Sequence, residues 1–156
     1  MRILGLTMAY LLFFAFTPLH FASAADGFHA DYIGGTEGSL PGKTDGKLRT
    51  NGQEVLSFQA KKGLVQVNYA KINLIEYGQK VDRRYVAAFL ISPLFLLSKS
   101  RRHFLTVGYT DDAGRQQAMV FQVSKGSVRS VLVSLEARTG LKVQFQDGEA
   151  RKAGKG

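Results

Sequence analysis

Few residues in this chain could carry a catalytic reaction, and their spacing does not match a familiar catalytic arrangement. His103 follows Arg102, and a neighbouring positive charge lowers the pKa of an imidazole and keeps the ring neutral. A neutral imidazole can act as a general base, so a hydrolase using His103 is one hypothesis. However, the serines nearby lack the glycines of a nucleophile elbow, and the chain of 156 residues has no cysteine. We therefore expect a protein without enzymatic activity, with the hydrolase as an alternative.

Two further patterns resemble ligand sites but lack the spacing that those sites need. The segment 38–44 is similar to a phosphate-binding loop, yet three residues separate its glycines where the motif has four, and Glu37 occupies the position of the first glycine. Asp111 and Asp112 are adjacent, whereas calcium loops place their oxygen ligands at alternate positions. We expect no metal, no nucleotide and no other cofactor.

The clearest functional pattern is a cluster of basic residues between Lys80 and Arg102, where six basic residues accompany one acidic residue. Clustered cations of this kind bind anionic membrane surfaces or acidic proteins. The leading hypothesis is therefore a non-enzymatic binding or scaffold module that presents a basic face to such a partner. The candidate binding residues are Arg83, Arg84, Lys99, Arg101 and Arg102.

An apolar run, Tyr85–Leu97, lies between these basic flanks and is open to three interpretations. Its 13 residues would span only about 20 Å as a helix, against a hydrocarbon core of about 30 Å. Pro93 would interrupt either a helix or a central strand. The run could form two buried pieces of the core, or an element that enters one face of a membrane. Alternatively, it could contact a second chain, which would make the protein a structural or assembly protein that forms homo-oligomers.

The first 24 residues have the pattern of a secretory signal peptide. Arg2 precedes the apolar stretch Ile3–Phe16, and Ala22-Ser23-Ala24 is typical of a cleavage site. We expect cleavage near Ala24 and a periplasmic or secreted product, whose net charge would fall from +9 to +8 with the loss of Arg2. An exported address also argues against a nucleic acid or a nucleotide as the partner.

The elements that must position these residues are mostly strands. Residues 25–52 are glycine-rich, with two short strands expected around Ala30–Ile33 and Gly46–Thr50. A β domain follows over residues 53–147, with a helix at about 127–139 that ends at Gly140, and a basic tail at 148–156 is expected to be disordered. Alternating apolar residues predict the remaining strands of this domain: Val55–Ala60, Leu64–Tyr69, Lys71–Tyr77, Phe104–Tyr109, Gln116–Val123 and Leu141–Phe145.

This order predicts a mainly β fold, a small β-barrel or a strongly bent antiparallel sheet, with one C-terminal amphipathic helix packed on it. The predicted core consists of the apolar residues that fall on the inner faces of these elements: Leu56, Phe58, Val65, Val67, Ile72, Ile75, Leu105, Val107, Val120, Phe121, Val128, Leu132, Leu135 and Val143.

Several short motifs resemble a family of small exported bacterial proteins of unknown function. They are Tyr32-Ile-Gly-Gly-Thr36, Ile72-x-x-Ile75-Glu-Tyr-Gly-Gln-Lys80, Ser98-Lys-x-Arg-Arg-His-Phe-Leu-Thr106, Tyr109-Thr-Asp-Asp112 and Leu135-Glu-Ala-Arg-Thr-Gly140. A strand-rich body followed by one C-terminal helix is also similar to the pleckstrin-homology-like superfold, including its GRAM-type relatives. That resemblance implies a binding or scaffolding role, often toward phospholipid or peptide, rather than catalysis.

Overall fold

The computed structural model describes residues 27–36, 40–80 and 102–155. The predicted signal peptide and the apolar run Tyr85–Leu97 lie outside these ranges. The described chain is mainly β with a C-terminal helix, as predicted. Its strands are β1 Phe28–Gly35, β2 Thr44–Arg49, β3 Val55–Ala60, β4 Gly63–Asn68, β5 Ile72–Gly78, β6 His103–Thr110, β7 Gln116–Val123 and β8 Gln144–Phe145, and its helices are α1 Val128–Thr139 and α2 Gly148–Lys155.

All eight strands belong to one sheet, in the order β4-β3-β2-β1-β7-β6-β5-β8. Every pairing is antiparallel except that of β5 with β8, which is parallel. The two strands expected in the glycine-rich segment are present, but they lie in the middle of the sheet. Gly46 of β2 lets the neighbouring strand β3 pack closely, because a Cβ at this position would lie 2.6 Å from the ring of Phe58. Glycine in this segment therefore permits packing of strands as well as turns.

The connection between β4 and β5 shows that the sheet curls strongly. The two strands occupy the first and seventh places in the sheet, which in a flat sheet would be roughly 29 Å apart. Only one 3-10 turn, Tyr69–Lys71, joins them along the chain, and a step from Asn68 to Ile72 can span at most about 14 Å. The two ends of the sheet must therefore approach each other. The sheet stays open, because its edge strands β4 and β8 do not pair with each other in the described part.

The hydrophobic core lies inside this curl, and all of the core residues predicted from the sequence are buried. Sequence reasoning missed Tyr32 of the first strand, which meets the predicted core residues Phe58 and Phe121 in an aromatic cluster. The ring centroids of these three residues are 5.2 to 6.2 Å apart. Full burial of each such side chain contributes on the order of 1.5–3 kcal/mol. The strand β1 is thus held by side-chain packing as well as by its ladder on both sides.

Helix α1 packs its predicted apolar stripe, Val128, Val131, Leu132 and Leu135, into the core. It ends as expected at Gly140, whose φ of 73° is a left-handed conformation and whose N–H donates to the carbonyl of Glu136. Ser134 of α1 also donates to Thr50 Oγ1 over 2.8 Å, which connects the helix to the chain that follows β2. Neither helix of the described part is long and apolar enough to cross a membrane.

The expectation of a disordered tail differs from the structure, in which 148–155 forms the helix α2. The Asp147 carboxylate accepts a hydrogen bond from the N–H of Ala150 over 2.6 Å, which is the contact of an N-terminal cap. Ala150 is fully buried, and Gly154 packs against Phe145, Leu132 and Tyr77. Small residues provide the contact surface of this helix, so its apolar face was not recognisable from large side chains.

Candidate functional site

Helix α2 separates two cavities, because its side chains point to opposite sides at helical spacing. Arg151, Gly154 and Lys155 line one cavity, which we call the basic groove. Glu149, Lys152 and Ala153 line the other, which we call the His103 pocket. The volumes are about 520 Å³ for the groove and about 530 Å³ for the pocket.

The basic groove has an apolar floor between α1 and α2. Leu132, Val143 and Phe145 contribute to this floor, and Val133, which is 57% exposed, extends it toward solvent. Exposed large apolar side chains are uncommon in the described part, where Leu64 on β4 is the other example. The floor therefore provides apolar surface that is accessible to a partner.

Cations surround this floor. Arg129 of α1, Lys142 of the following loop, and Arg151 and Lys155 of α2 all line the groove, together with one carboxylate, Glu136. Four positive groups and one negative group leave the groove strongly electropositive, and a concave site focuses such a potential.

Local contacts hold the groove walls in place. The Glu136 carboxylate accepts a hydrogen bond of 2.9 Å from the N–H of Val143, so this charge is used to fix the loop after α1. On the other wall, Arg151 and Lys155 each place their charged group 6.0 Å from the centroid of the Phe145 ring. A cation at this distance is attracted to the face of an aromatic ring. These contacts therefore fix the positions of both walls of the groove.

The His103 pocket lies on the opposite side of α2, where β5 ends and β6 begins. Its lining consists of Gln79, His103, Lys125 and the three residues of α2 named above. The hydroxyl of Tyr77 lies 2.5 Å from Nδ1 of His103. The two rings stack with an interplanar angle of 8° and centroids 6.1 Å apart.

Burial sets the protonation of this pair. Tyr77 is completely buried, and desolvation raises the pKa of its hydroxyl to about 12. Desolvation, and secondarily the charge of Lys125, lowers the pKa of His103. The sequence predicted a lowered pKa from Arg102, so the direction agrees but the cause is different. Tyr77 therefore keeps its proton, and the contact runs either from its hydroxyl to Nδ1 or from Nδ1–H to its oxygen, according to the tautomer of His103.

Most of the predicted binding residues cannot be placed, because Arg83, Arg84, Lys99 and Arg101 lie outside the described residues. Arg102 is described. Its Nη1 donates to Oε1 of Gln122 over 3.2 Å, and it lines neither the groove nor the pocket. The cations of the groove were missed, although Arg151 and Lys155 stand four residues apart after the capping Asp147, which is a readable signal of a helix with a basic face.

The adjacent aspartates have structural partners. Asp111 accepts hydrogen bonds from Arg115 and Gln117, and Asp112 pairs with Lys71. Among the described residues no group of three or more histidine, aspartate or glutamate side chains could hold a metal ion.

Compared with known proteins, the chain matches no protein-family model and no curated protein.

Proposed function

We propose that the protein is a non-enzymatic binding module that presents a basic face to an acidic partner, and that the basic groove is the centre of this face. The supporting observation is the combination in one concave site of an apolar floor with four cations and a single carboxylate. A partner that carries both negative charges and apolar groups fits this combination.

The concave shape favours an acidic protein segment over an anionic membrane surface. A membrane is nearly flat at the scale of a groove of about 520 Å³, so lipid headgroups would contact the rim cations and leave the floor uncovered. A polypeptide segment can place an apolar side chain over Phe145 and Val143 while its carboxylates pair with Arg129 and Lys142. The membrane surface is the competing outcome of the experiment below.

The alternative of a hydrolase receives little support from the geometry around His103. A general base needs an unprotonated nitrogen facing the substrate, and in the tautomer in which Tyr77 donates to Nδ1 the proton of the neutral ring lies on Nε2. In a serine protease triad the orienting group accepts from Nδ1 instead. Among the described residues, those that line the His103 pocket include no serine, threonine or cysteine that such a base could activate.

We also propose the finer features that the sequence suggested: an exported, periplasmic or secreted protein with a pleckstrin-homology-like fold. Support for the fold comes from the strongly curled antiparallel sheet and from α1, which follows the seventh strand. The parallel strand β8 and the helix α2 are additions to that simple plan of strands and one helix. The apolar run Tyr85–Leu97, the basis of the oligomer hypothesis, lies outside the described residues, and that hypothesis stays a prediction.

The proposal is tested by reversing charges in the groove without disturbing its structural contacts. Arg129 and Lys142 are exposed and make no hydrogen bond or ion pair with another described residue, so Arg129→Glu with Lys142→Glu should fold normally. We expect the natural protein to bind poly-L-glutamate in calorimetry at low salt, and the double variant to bind at least tenfold more weakly. Binding should also weaken as salt is raised, because exposed charges are screened.

A matched control separates the groove from the overall charge. Lys61→Glu with Lys62→Glu changes the net charge by the same amount in the turn between β3 and β4. Because salt screens distant charges, this control should keep an affinity for poly-L-glutamate within about twofold of the natural protein's. Equal losses in both double variants would contradict a local groove. Binding to vesicles rich in phosphatidylglycerol but not to poly-L-glutamate would show instead that the face meets a membrane.

A further inference from the structure

We propose that the His103 pocket is a second binding site, separate from the basic groove, for a small oxyanion such as a carboxylate or a tetrahedral phosphate-type group. The donors would be the ammonium groups of Lys125 and Lys152 and the imidazole N–H of His103. This second site does not depend on the proposed function, because α2 separates the pocket from the groove and no described residue lines both cavities.

The Tyr77–His103 contact prepares the imidazole to act as a donor. The hydroxyl of Tyr77 lies 2.5 Å from Nδ1. In the proposed site this hydroxyl is the donor, so the neutral ring carries its hydrogen on Nε2. Stacking on Tyr77, which is completely buried, limits rotation of the ring. The contact with Tyr77 thus fixes both the tautomer and the orientation, as a hydrogen bond to one ring nitrogen does for other functional histidines.

The two lysines supply charge that is not used within the described fold. Lys125 lies in the loop before α1 and Lys152 on α2, and neither ammonium has a hydrogen bond or a salt bridge to another described residue. Gln79 adds an amide, and Glu149 adds one negative charge that has an interaction partner of its own. Two cations against one anion leave the pocket with a net positive charge, which favours an anionic ligand.

The composition of the lining also indicates the size and polarity of the ligand. Ala153 is the apolar member of the lining, and the other residues are polar or charged. A cavity of about 530 Å³ exceeds the volume of a single sulfate, so a natural ligand would carry further polar atoms that reach Gln79 or Glu149. A small hydroxy acid or a phosphate monoester has this chemistry.

The experiment uses the full chain labelled with ¹⁵N and two probes that keep their charge near neutral pH, sulfate and acetate. Long-range ¹H–¹⁵N spectra read the tautomer of His103 directly, and His29, which pairs with Asp45 over 2.7 Å on the surface, serves as an internal reference. We expect the Nε2–H tautomer, and saturable shifts of His103 and of residues 149–153 with one or both anions. Saturation with sulfate alone would indicate a tetrahedral ligand, and with acetate alone a carboxylate.

A bound anion should also raise the pKa of His103, because negative charge favours the protonated ring. Within the described chain, the titratable groups that contact this ring or line its pocket are Tyr77 from β5, Lys125 from the loop before α1, and Glu149 and Lys152 from α2. The shift in the pKa of His103 must therefore be measured as the difference between titrations with and without sulfate. These groups contribute to both titrations, so their contribution cancels in the difference.

Conservative variants decide whether the named residues form the site. Lys125→Gln and Lys152→Gln remove the charge but keep a polar side chain at exposed positions. Each should weaken binding of the anion about tenfold. Lys155→Gln on the groove side of α2 should leave the affinity for the anion unchanged. Absence of saturation up to roughly 100 mM of either anion, a concentration that would fill even a weak specific site, would overturn the proposal. An Nδ1–H tautomer or equal weakening in Lys155→Gln would overturn it as well, whatever the outcome for the groove.

Discussion

At the scale of single residues, Asp111 stabilises the turn between β6 and β7 through its carboxylate. This carboxylate accepts hydrogen bonds from the N–H groups of Ala113 and Arg115, from the guanidinium of Arg115 and from the amide of Gln117, at 2.8 to 2.9 Å. Hydrogen bonds from Arg115 and Gln117 lower the pKa of Asp111 from 3.8 to about 2. The charged form is therefore favoured in the folded protein.

This shift predicts a specific dependence of stability on pH. A carboxyl group whose pKa falls on folding stabilises the protein above the unfolded pKa, and this stabilisation is lost as the pH falls from about 4 to about 2. We expect Asp111→Asn to melt several degrees lower than the natural protein at pH 7 and at nearly the same temperature at pH 2. Thermal melts across this range measure the difference between the two curves.

The neighbouring residue gives a control for that experiment. Asp112 lies in the same turn, its side chain is 96% exposed, and its contact is a single surface pair with Lys71. Surface pairs contribute little to stability, so Asp112→Asn should lower the melting temperature less than Asp111→Asn at pH 7. If the gap between Asp111→Asn and the natural protein does not change with pH, the stabilisation does not come from the charge of Asp111.

At the scale of elements, substitutions at two glycines can test whether α2 packs on the core or is a loose tail. A Cβ at Gly154 would lie 2.6 Å from the ring of Phe145, whereas a Cβ at Gly148 would meet no atom within 4 Å. Leucine is the better helix former by roughly 1 kcal/mol, so propensity alone would favour leucine at both positions. Packing opposes it only where the helix touches the core.

We therefore expect Gly154→Leu to lower the free energy of unfolding by about 1–3 kcal/mol through overpacking. Gly148→Leu should leave this free energy unchanged or raise it slightly. Chemical denaturation of the two variants beside the natural protein measures both effects. A similar, small effect of the two substitutions would indicate that α2 does not pack on Phe145 and Leu132.

The elements differ in how far the sequence could predict them. Strands such as β3 and helix α1 follow from alternation and from the stripe of Val128, Val131 and Leu135, because large apolar residues mark their buried faces. Helix α2 buries Ala150 and Gly154, so its signal was only the capping Asp147 and the basic spacing. The pocket depends on Tyr77 and His103, which are 26 residues apart, and no local pattern relates them.

At the scale of the whole molecule, the curl of the sheet depends on one short turn. Adjacent alternating segments usually form a hairpin, but the Asn68 side chain accepts a hydrogen bond of 2.8 Å from the N–H of Ala70, and Tyr69 is buried. The chain thus makes a 3-10 turn that leads it across the opening to the far side of the sheet. Local alternation contains no information about this step, so the sequence left a barrel and a bent sheet as alternatives.

The position of β1 in the sheet also determines when the fold can form. Directly after β1, Thr36 contacts Ala118 of β7, 82 residues further along the chain. This central strand therefore cannot complete its pairing until β7, the seventh of the eight strands, is available. Long-range pairing of this kind is slow, and refolding from denaturant should take milliseconds to seconds rather than microseconds. Stopped-flow fluorescence of the tyrosines measures this rate.

A related consequence concerns an incomplete chain. A fragment that ends at Thr110 contains β1 to β6 but lacks β7, which joins β1 to β6. We expect its circular dichroism to show no cooperative thermal transition, while the full chain melts in one step. A fragment that folds would mean that the first four strands are stable alone. If it does not fold, the chain remains unfolded until β7 is available, a state that would suit the export that we propose for this protein.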